Sequence, residues 1–267
     1  MTPPSDGALI TLTTDFGLAD GYVGTMHGVI LGICPTARIL DLCHDIPPQD
    51  VRRAAFVLYT TYRFFPPGVI HVVVVDPGVG SERRIIALQT KEAYFVAPDN
   101  GVLSYILARE EILEQVHLTR RGFWLPTISH TFHGRDLMAP AAAHLARGVP
   151  LHDLGEPVAD LVKFPLPQPE MQPDGSLVGR IIHVDRFGNL ISDVRQELLS
   201  GRGHLVIHCA GQQIEGIQAS YAAVADGQLV ALIGSSGHLE IAVRNGNAAE
   251  RLHAQVGDVI TVGARHF

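Results

Sequence analysis

"VVVVDPGVGSERR", Val72–Arg84, reads as a core strand that ends in charge. Four consecutive valines suit a strand buried on both faces, the pattern of a parallel sheet covered by helices. An acid, a proline, two glycines and two arginines follow within a few residues. Pro77 and Gly78 turn the chain after Asp76, Gly80 turns it again, and Arg83 returns to the same rim. An acid and an arginine on either side of a glycine turn can pair to pin the loop, or together hold a small polar molecule.

Working outward from that strand, the first part of the chain alternates. "ALITLTT" (Ala8–Thr14) and "ARILDLC" (Ala37–Cys43) predict strands before it. "DGYVGTMHGVILGI" (Asp20–Ile33) predicts a helix with Val23, Met26, Ile30 and Ile33 on one face. "DVRRAAFVLYTTYRFF" (Asp50–Phe65) predicts a second, capped by Asp50, with Val51, Ala54, Ala55 and Leu58 aligned. "RIIALQT" and "AYFVAPD" suggest a hairpin or further strands, and "NGVLSYILARE" and "RDLMAPAAAHLARG" further helices. This βαβαβ order predicts an α/β domain with a mostly parallel sheet over residues 1–163.

"KFPLPQPEMQPDGS" (Lys163–Ser176) holds four prolines and breaks the pattern. It predicts a stiff linker over residues 164–176. Beyond it "LVGRIIHVDRFGNLIS", "HLVIHC", "QLVALIGSSGHLEIAV" and "GDVITVG" are short apolar runs between Gly, Asn and Asp, with no helix longer than "DVRQELLSG". Residues 177–267 are therefore expected to form a smaller β-barrel domain.

The totals limit the function. At 267 residues the chain can bury a real core without staples. A net charge of −7 argues against nucleic acid as a partner, because polyanion binders carry a basic face. No apolar run is long enough to span a membrane, and the N-terminus lacks the pattern of a secretion signal. Three scattered cysteines form no disulfide framework or CxxC metal site, which fits a cytoplasmic protein. Signatures of dinucleotide, P-loop, nucleophile-elbow and zincin sites are absent.

In an open α/β sheet, ligands sit beyond the carboxyl ends of the strands. "TTDFG" puts Asp15 at such an end, where a carboxylate can accept a ribose diol or merely serve a turn. "HTFHGRD" places His133 just before a helix, suited to proton handling or to capping. His130, His133 and Asp136 have a metal-like spacing, but among 14 histidines such coincidences are common, and no metal site is expected. In "VDRFGNLIS", Asp185 and Asn189 flank a turn that can hold an ammonium or make ordinary Asx bonds. Ser235 and Ser236 in "IGSSGHLEIAVRNG" can offer backbone N–H groups to a carboxylate or form a plain hairpin.

"TTDFG", "VVDPGVGSERR", "APDNGVL", "TFHGRD", "DRFGNLISD" and "GSSGHLEIAV", in this order, resemble the S-adenosyl-L-methionine (SAM) hydroxide adenosyltransferases. These are SAM hydrolases related to the SAM-dependent fluorinase and chlorinase. The resemblance implies an N-terminal α/β domain, a C-terminal barrel, and a homotrimer with SAM at the subunit interface. It puts a catalytic triad on Asp76, Arg83 and His133, and the ribose acid on Asp15. Asp185 and Asn189 would be the acid and amide that bind the methionine part, and the turn at Ser235 and Ser236 would meet its carboxylate. Phe187 and Tyr221 would pack the adenine, with the backbone at Asn245 near its edge. SAM is then a substrate, and no cofactor is implied. Halogenases of this kind resemble "TFYSRE" where this chain reads "TFHGRD", have Tyr at the position of Asp76, and carry an inserted loop that "RIIALQTKEAYFV" lacks. The expected reaction is therefore attack of water or hydroxide at C5′. The alternatives are a chlorinase-like halogenase and a non-catalytic SAM- or adenosine-binding module.

Overall fold

The computed structural model describes residues 7–264 and divides into two compact units, Met1–Pro165 and Leu166–Phe267. In the first, β1 (Leu9–Thr14), α1 (Tyr22–Ile33), β2 (Arg38–Cys43), α2 (Val51–Thr61) and β3 (Val69–Val74) alternate as expected. They are followed by β4 (Ile85–Thr90), β5 (Ala93–Pro98), α3 (Ser104–Arg109) and β6 (Ile112–Leu118). A π-type turn over Gly134–Met138 leads into α4 (Ala139–Ala146), and β7 (Gly155–Pro157) closes the unit.

The sheet order is β2-β1-β3-β5-β4-β6-β7. Strands β2, β1, β3 and β5 are parallel neighbours, whereas β4, β6 and β7 join through antiparallel pairs. The sheet is thus mixed. Only Lys91 and Glu92 separate β4 from β5, and so short a connection can join only antiparallel strands. β3 lies inside the sheet with every residue buried, and Ile70, Val72 and Val73 are fully covered. Truncating Ile70 to alanine costs about 2–5 kcal/mol. α1 buries Val23, Met26 and Ile30. Asp50 caps α2 by accepting from the Arg53 N–H at 2.9 Å. α3 and α4 are shorter than their sequence patterns. Glu110 is already extended after α3, and the π-type turn occupies the start of the second pattern.

The second unit holds β8 (Glu170–Met171), β9 (Leu177–Val184), β10 (Leu190–Arg195), α5 (Gln196–Leu199), β11 (Leu205–Cys209), β12 (Gln212–Glu215), β13 (Leu229–Ile233), β14 (His238–Val243), α6 (Ala248–Leu252) and β15 (Val259–Ala264). Its antiparallel sheet runs β12-β11-β15-β9-β10-β14-β13, with β8 paired to β9. Part of the proline-rich segment is therefore a strand of this unit. The two ends of the sheet approach each other. The Gln218 N–H, shortly after β12, donates to the Ala231 carbonyl of β13 at 2.8 Å, so the sheet nearly closes. α6 answers to no sequence expectation. It spans five residues, too few for a periodic pattern, and is started by the Asn247 side chain accepting from the Glu250 N–H.

Candidate functional site

β1 and β3 pair in register Thr14 to Val74, so the residues just beyond them, Asp15 and Asp76, emerge on the same rim. Beyond Asp76 the turn is held by the Val79 N–H donating to the Asp76 carbonyl and the Ser81 hydroxyl donating to the Gly78 carbonyl at 2.7 Å. Gly80 has φ +80, and a Cβ there would run into the His130 carbonyl. Only glycine lets this turn pack against the loop that carries His133. The Asn100 amide donates to the Val75 carbonyl at 2.9 Å and steadies the end of β3.

These devices bring Asp76, Arg83 and His133 together. Arg83 Nε donates to Asp76 Oδ1 at 2.7 Å and Oδ2 at 2.9 Å, and Nη2 also donates to Oδ2. The two side chains are only 6% and 10% exposed, so the ion pair is shielded from water. Arg83 Nη2 lies 2.9 Å from His133 Nδ1. A guanidinium can only donate, so Nδ1 accepts and the neutral ring carries its proton on Nε2. Burial, then the positive charge of Arg83, lowers the His133 pKa, against the opposing pull of Asp76. Arg83 Nη1 has no protein partner among the described residues.

Asp136, fully buried, holds the His133 loop. It accepts from the Ser129 N–H at 2.7 Å and from Arg135 at 2.6 and 3.0 Å. Burial alone would raise its pKa, but the Arg135 and Ser129 hydrogen bonds prevail and lower it. His133 is thus tied to Arg83 and Asp136 to Arg135, and among the described residues no His/Cys/Asp/Glu group of three is placed to hold a metal ion. Asp15 Oδ2 accepts from the Gln49 N–H at 2.8 Å, and Gln49 adopts φ 66, an uncommon conformation for a non-glycine residue.

Three rings join these loops. Phe16, Tyr22 and Phe132 form a triangle with centroids 5.3–5.6 Å apart. Phe16 follows Asp15 and Phe132 precedes His133, so edge-to-face packing sets both loops on one support. Sequence reasoning missed this triangle and the role of Asn100. Phe16, Phe132 and Asn100 lie inside the quoted motifs, but nothing in the sequence shows that they meet.

In the second unit, Asp185 Oδ1 accepts from the N–H groups of Phe187 and Asn189 at 2.8 and 2.9 Å, and Oδ2 from the Asn189 amide at 2.9 Å. These are the Asx bonds of a tight turn, and they leave Phe187 75% exposed. The Tyr221 hydroxyl donates to Glu240 Oε1 at 2.6 Å. Ser235 is exposed and Ser236 half-buried in a hairpin closed by the Gly234 N–H donating to the His238 carbonyl. Asn245 is exposed, at φ 55.

The model of the SAM hydroxide adenosyltransferase N-terminal domain matches residues 10–155, and that of the C-terminal domain residues 179–261. The chain belongs to the SAM hydroxide adenosyltransferase family. A relative from Salinispora tropica named (R)-S-adenosyl-L-methionine hydrolase is 40% identical, over 96% of this chain and 97% of that one. A protein from an Actinoplanes species named fluorinase is 28% identical over 75% of this chain and 76% of its own. The solved structure of an uncharacterized conserved protein from Thermotoga maritima matches at a TM-score of 0.89 and 34% identity, covering 96% of this chain and 100% of that one. Among the described residues of this hydroxide adenosyltransferase family member, no helix is long and apolar enough to cross a membrane.

Proposed function

We propose that this protein hydrolyses SAM to adenosine and L-methionine by in-line attack of a water or hydroxide at C5′. The observation that carries the reading is the shielded Asp76–Arg83 pair with neutral His133 beside it. The leaving group of a sulfonium is a neutral thioether, so its departure needs no general acid. The task left to the protein is to place and activate one oxygen nucleophile. Positioning of this kind is worth up to about 7–11 kcal/mol.

Asp76 accepts a hydrogen bond from the attacking water. Arg83 Nη1 and His133 Nε2–H donate to the same oxygen as negative charge develops on it. His133 Nδ1 is occupied by Arg83, which makes the ring a donor to the nucleophile and leaves the accepting role to the carboxylate. Asp15 takes the ribose diol. Asp185 and Asn189 take the methionine ammonium, and the turn at Ser235 and Ser236 its carboxylate. Phe187 and Tyr221 flank the adenine, near the Asn245 backbone. The active assembly is a homotrimer with SAM at the subunit interface, working in the cytoplasm without a cofactor. Unpaired Cys34, Cys43 and Cys209 suit a reducing compartment.

Incubating purified protein with SAM and following adenosine and methionine by chromatography tests this. Adenosine released in step with methionine supports it. SAM bound without turnover would make the protein a binding module, and a chloride-dependent 5′-chloro-5′-deoxyadenosine product would make it a halogenase.

A further inference from the structure

Strand β14 is buried along its whole length, yet Glu240 sits in it at 6% exposure. A carboxylate taken out of water is costly unless something meets it. Here the Tyr221 hydroxyl meets Oε1 at 2.6 Å. Oε2 comes within 2.5 Å of the place a Cβ on Gly234 would occupy, so a side chain at 234 would push the carboxylate out of its present position. Burial, then the nearby charge of Asp185, raises the Glu240 pKa, while the Tyr221 bond works against them. One buried acid therefore lies among the Asp185 turn, Tyr221 and the 234–240 hairpin.

The strand itself has no need of this acid. A leucine at 240 would continue the apolar run without desolvating a charge. Tyr221, by contrast, is 43% exposed in a three-residue helical turn that buries none of its residues. No aromatic partner holds its ring among the described residues. Its hydroxyl bond to Glu240 is the one side-chain hydrogen bond that holds the ring among the described residues.

We propose that Glu240 is a positioning residue for substrate: by holding the Tyr221 hydroxyl it presents that ring for stacking against the adenine of SAM. This rests on the proposed hydrolase function and on Tyr221 facing the adenine. Glu240 touches no substrate atom and acts only through Tyr221.

The test compares Glu240→Leu, Glu240→Gln, Tyr221→Phe and the Leu/Phe double variant. Calorimetry with adenosine and with methionine is set beside SAM turnover and thermal melting. Without this bond the Tyr221 ring has to be ordered when substrate binds, so adenosine binding weakens and the KM for SAM rises by roughly 2- to 10-fold in Glu240→Leu and Tyr221→Phe. kcat and methionine affinity stay within about threefold of wild type. The double variant is no worse than either single one, because both remove the same bond. Glu240→Gln, whose amide oxygen still accepts the hydroxyl, recovers most of the affinity. Glu240→Leu melts close to wild type, because it removes the cost of burying the acid along with the bond, and the partly exposed Tyr221 hydroxyl it frees can bond to water. If Glu240→Leu binds adenosine like wild type, or loses affinity only in step with melting temperature, the assignment is overturned while the function stands. If wild-type protein releases no adenosine from SAM, both fall.

Discussion

Asp76→Asn separates chemistry from scaffold. The substitution keeps an oxygen that can accept from Arg83 Nε, at 2.7 Å in the native pair, but removes the charge and turns an amide N–H₂ toward Arg83 Nη2. Two opposite charges about 4 Å apart attract by about 4 kcal/mol at an effective dielectric of 20. Breaking a buried pair outright costs about 3–5 kcal/mol, because the remaining guanidinium is left uncompensated. For a chain of this size each kcal/mol lowers the melting temperature by roughly 2–4 °C. Asp76→Ala should therefore melt roughly 6–20 °C lower, and Asp76→Asn by less, since one acceptor survives. If Asp76 accepts the water's hydrogen bond as proposed, its loss costs about 10²–10⁴ in kcat. The assay is adenosine release at a temperature where the variant is folded by circular dichroism, with SAM affinity measured by calorimetry. The expected result is a kcat down by about 10²–10⁴, with affinity within about threefold. Turnover within tenfold of wild type would refute the assignment. An equal loss of turnover and affinity would make Asp76 a binding residue instead.

Three further outcomes are expected. The pKa of His133 is lowered from 6.5, so its neutral form is complete above that pH and is lost as pH falls through the lower folded-state value. Activity should hold level above about pH 6.5 and fall on the acid side with a midpoint below it, a limb absent from the residual activity of His133→Gln. A midpoint above 6.5 would contradict the Arg83–Nδ1 bond. Gly80→Ala must abandon φ +80 or displace the His130 carbonyl, and should lose roughly 1–3 kcal/mol in urea denaturation together with kcat. An active, equally stable variant would show that the turn does not position Arg83. His71, fully buried in β3 and stacked on Phe95, has its pKa lowered by burial to about 3. The unfolded chain binds its proton below 6.5 and the folded one only near 3, so stability falls by up to about 1.4 kcal/mol per pH unit between them. His71→Leu should show a shallower slope in the same denaturation series, and an unchanged slope would mean that His71 does not set it.

Much of this protein is legible in its sequence, because the physics involved is local. Val72–Val75 had to be buried, since four valines in a row leave no polar face. Val23, Met26 and Ile30 recur at helical spacing and line the buried side of α1. Asp50 caps α2 because a carboxylate just before a helix reaches its free N–H groups. Asp15, Asp76, Arg83 and His133 stand out as polar groups at strand or loop ends in chemically suggestive company.

Tertiary structure decided what local pattern cannot encode. It inserted β5 between β3 and β4 and made half of the sheet antiparallel, because partner choice depends on long-range packing. It pressed Gly80 against His130, 50 residues away, and Phe16 against Phe132, so that one carboxylate, one guanidinium and one imidazole could meet. It settled the His133 tautomer, since only the approach of Arg83 says which ring nitrogen must accept. It also gave Glu240 a partner in Tyr221. In sequence Glu240 is one acid in an apolar strand, and its meaning comes from the hydroxyl that the fold brings to it.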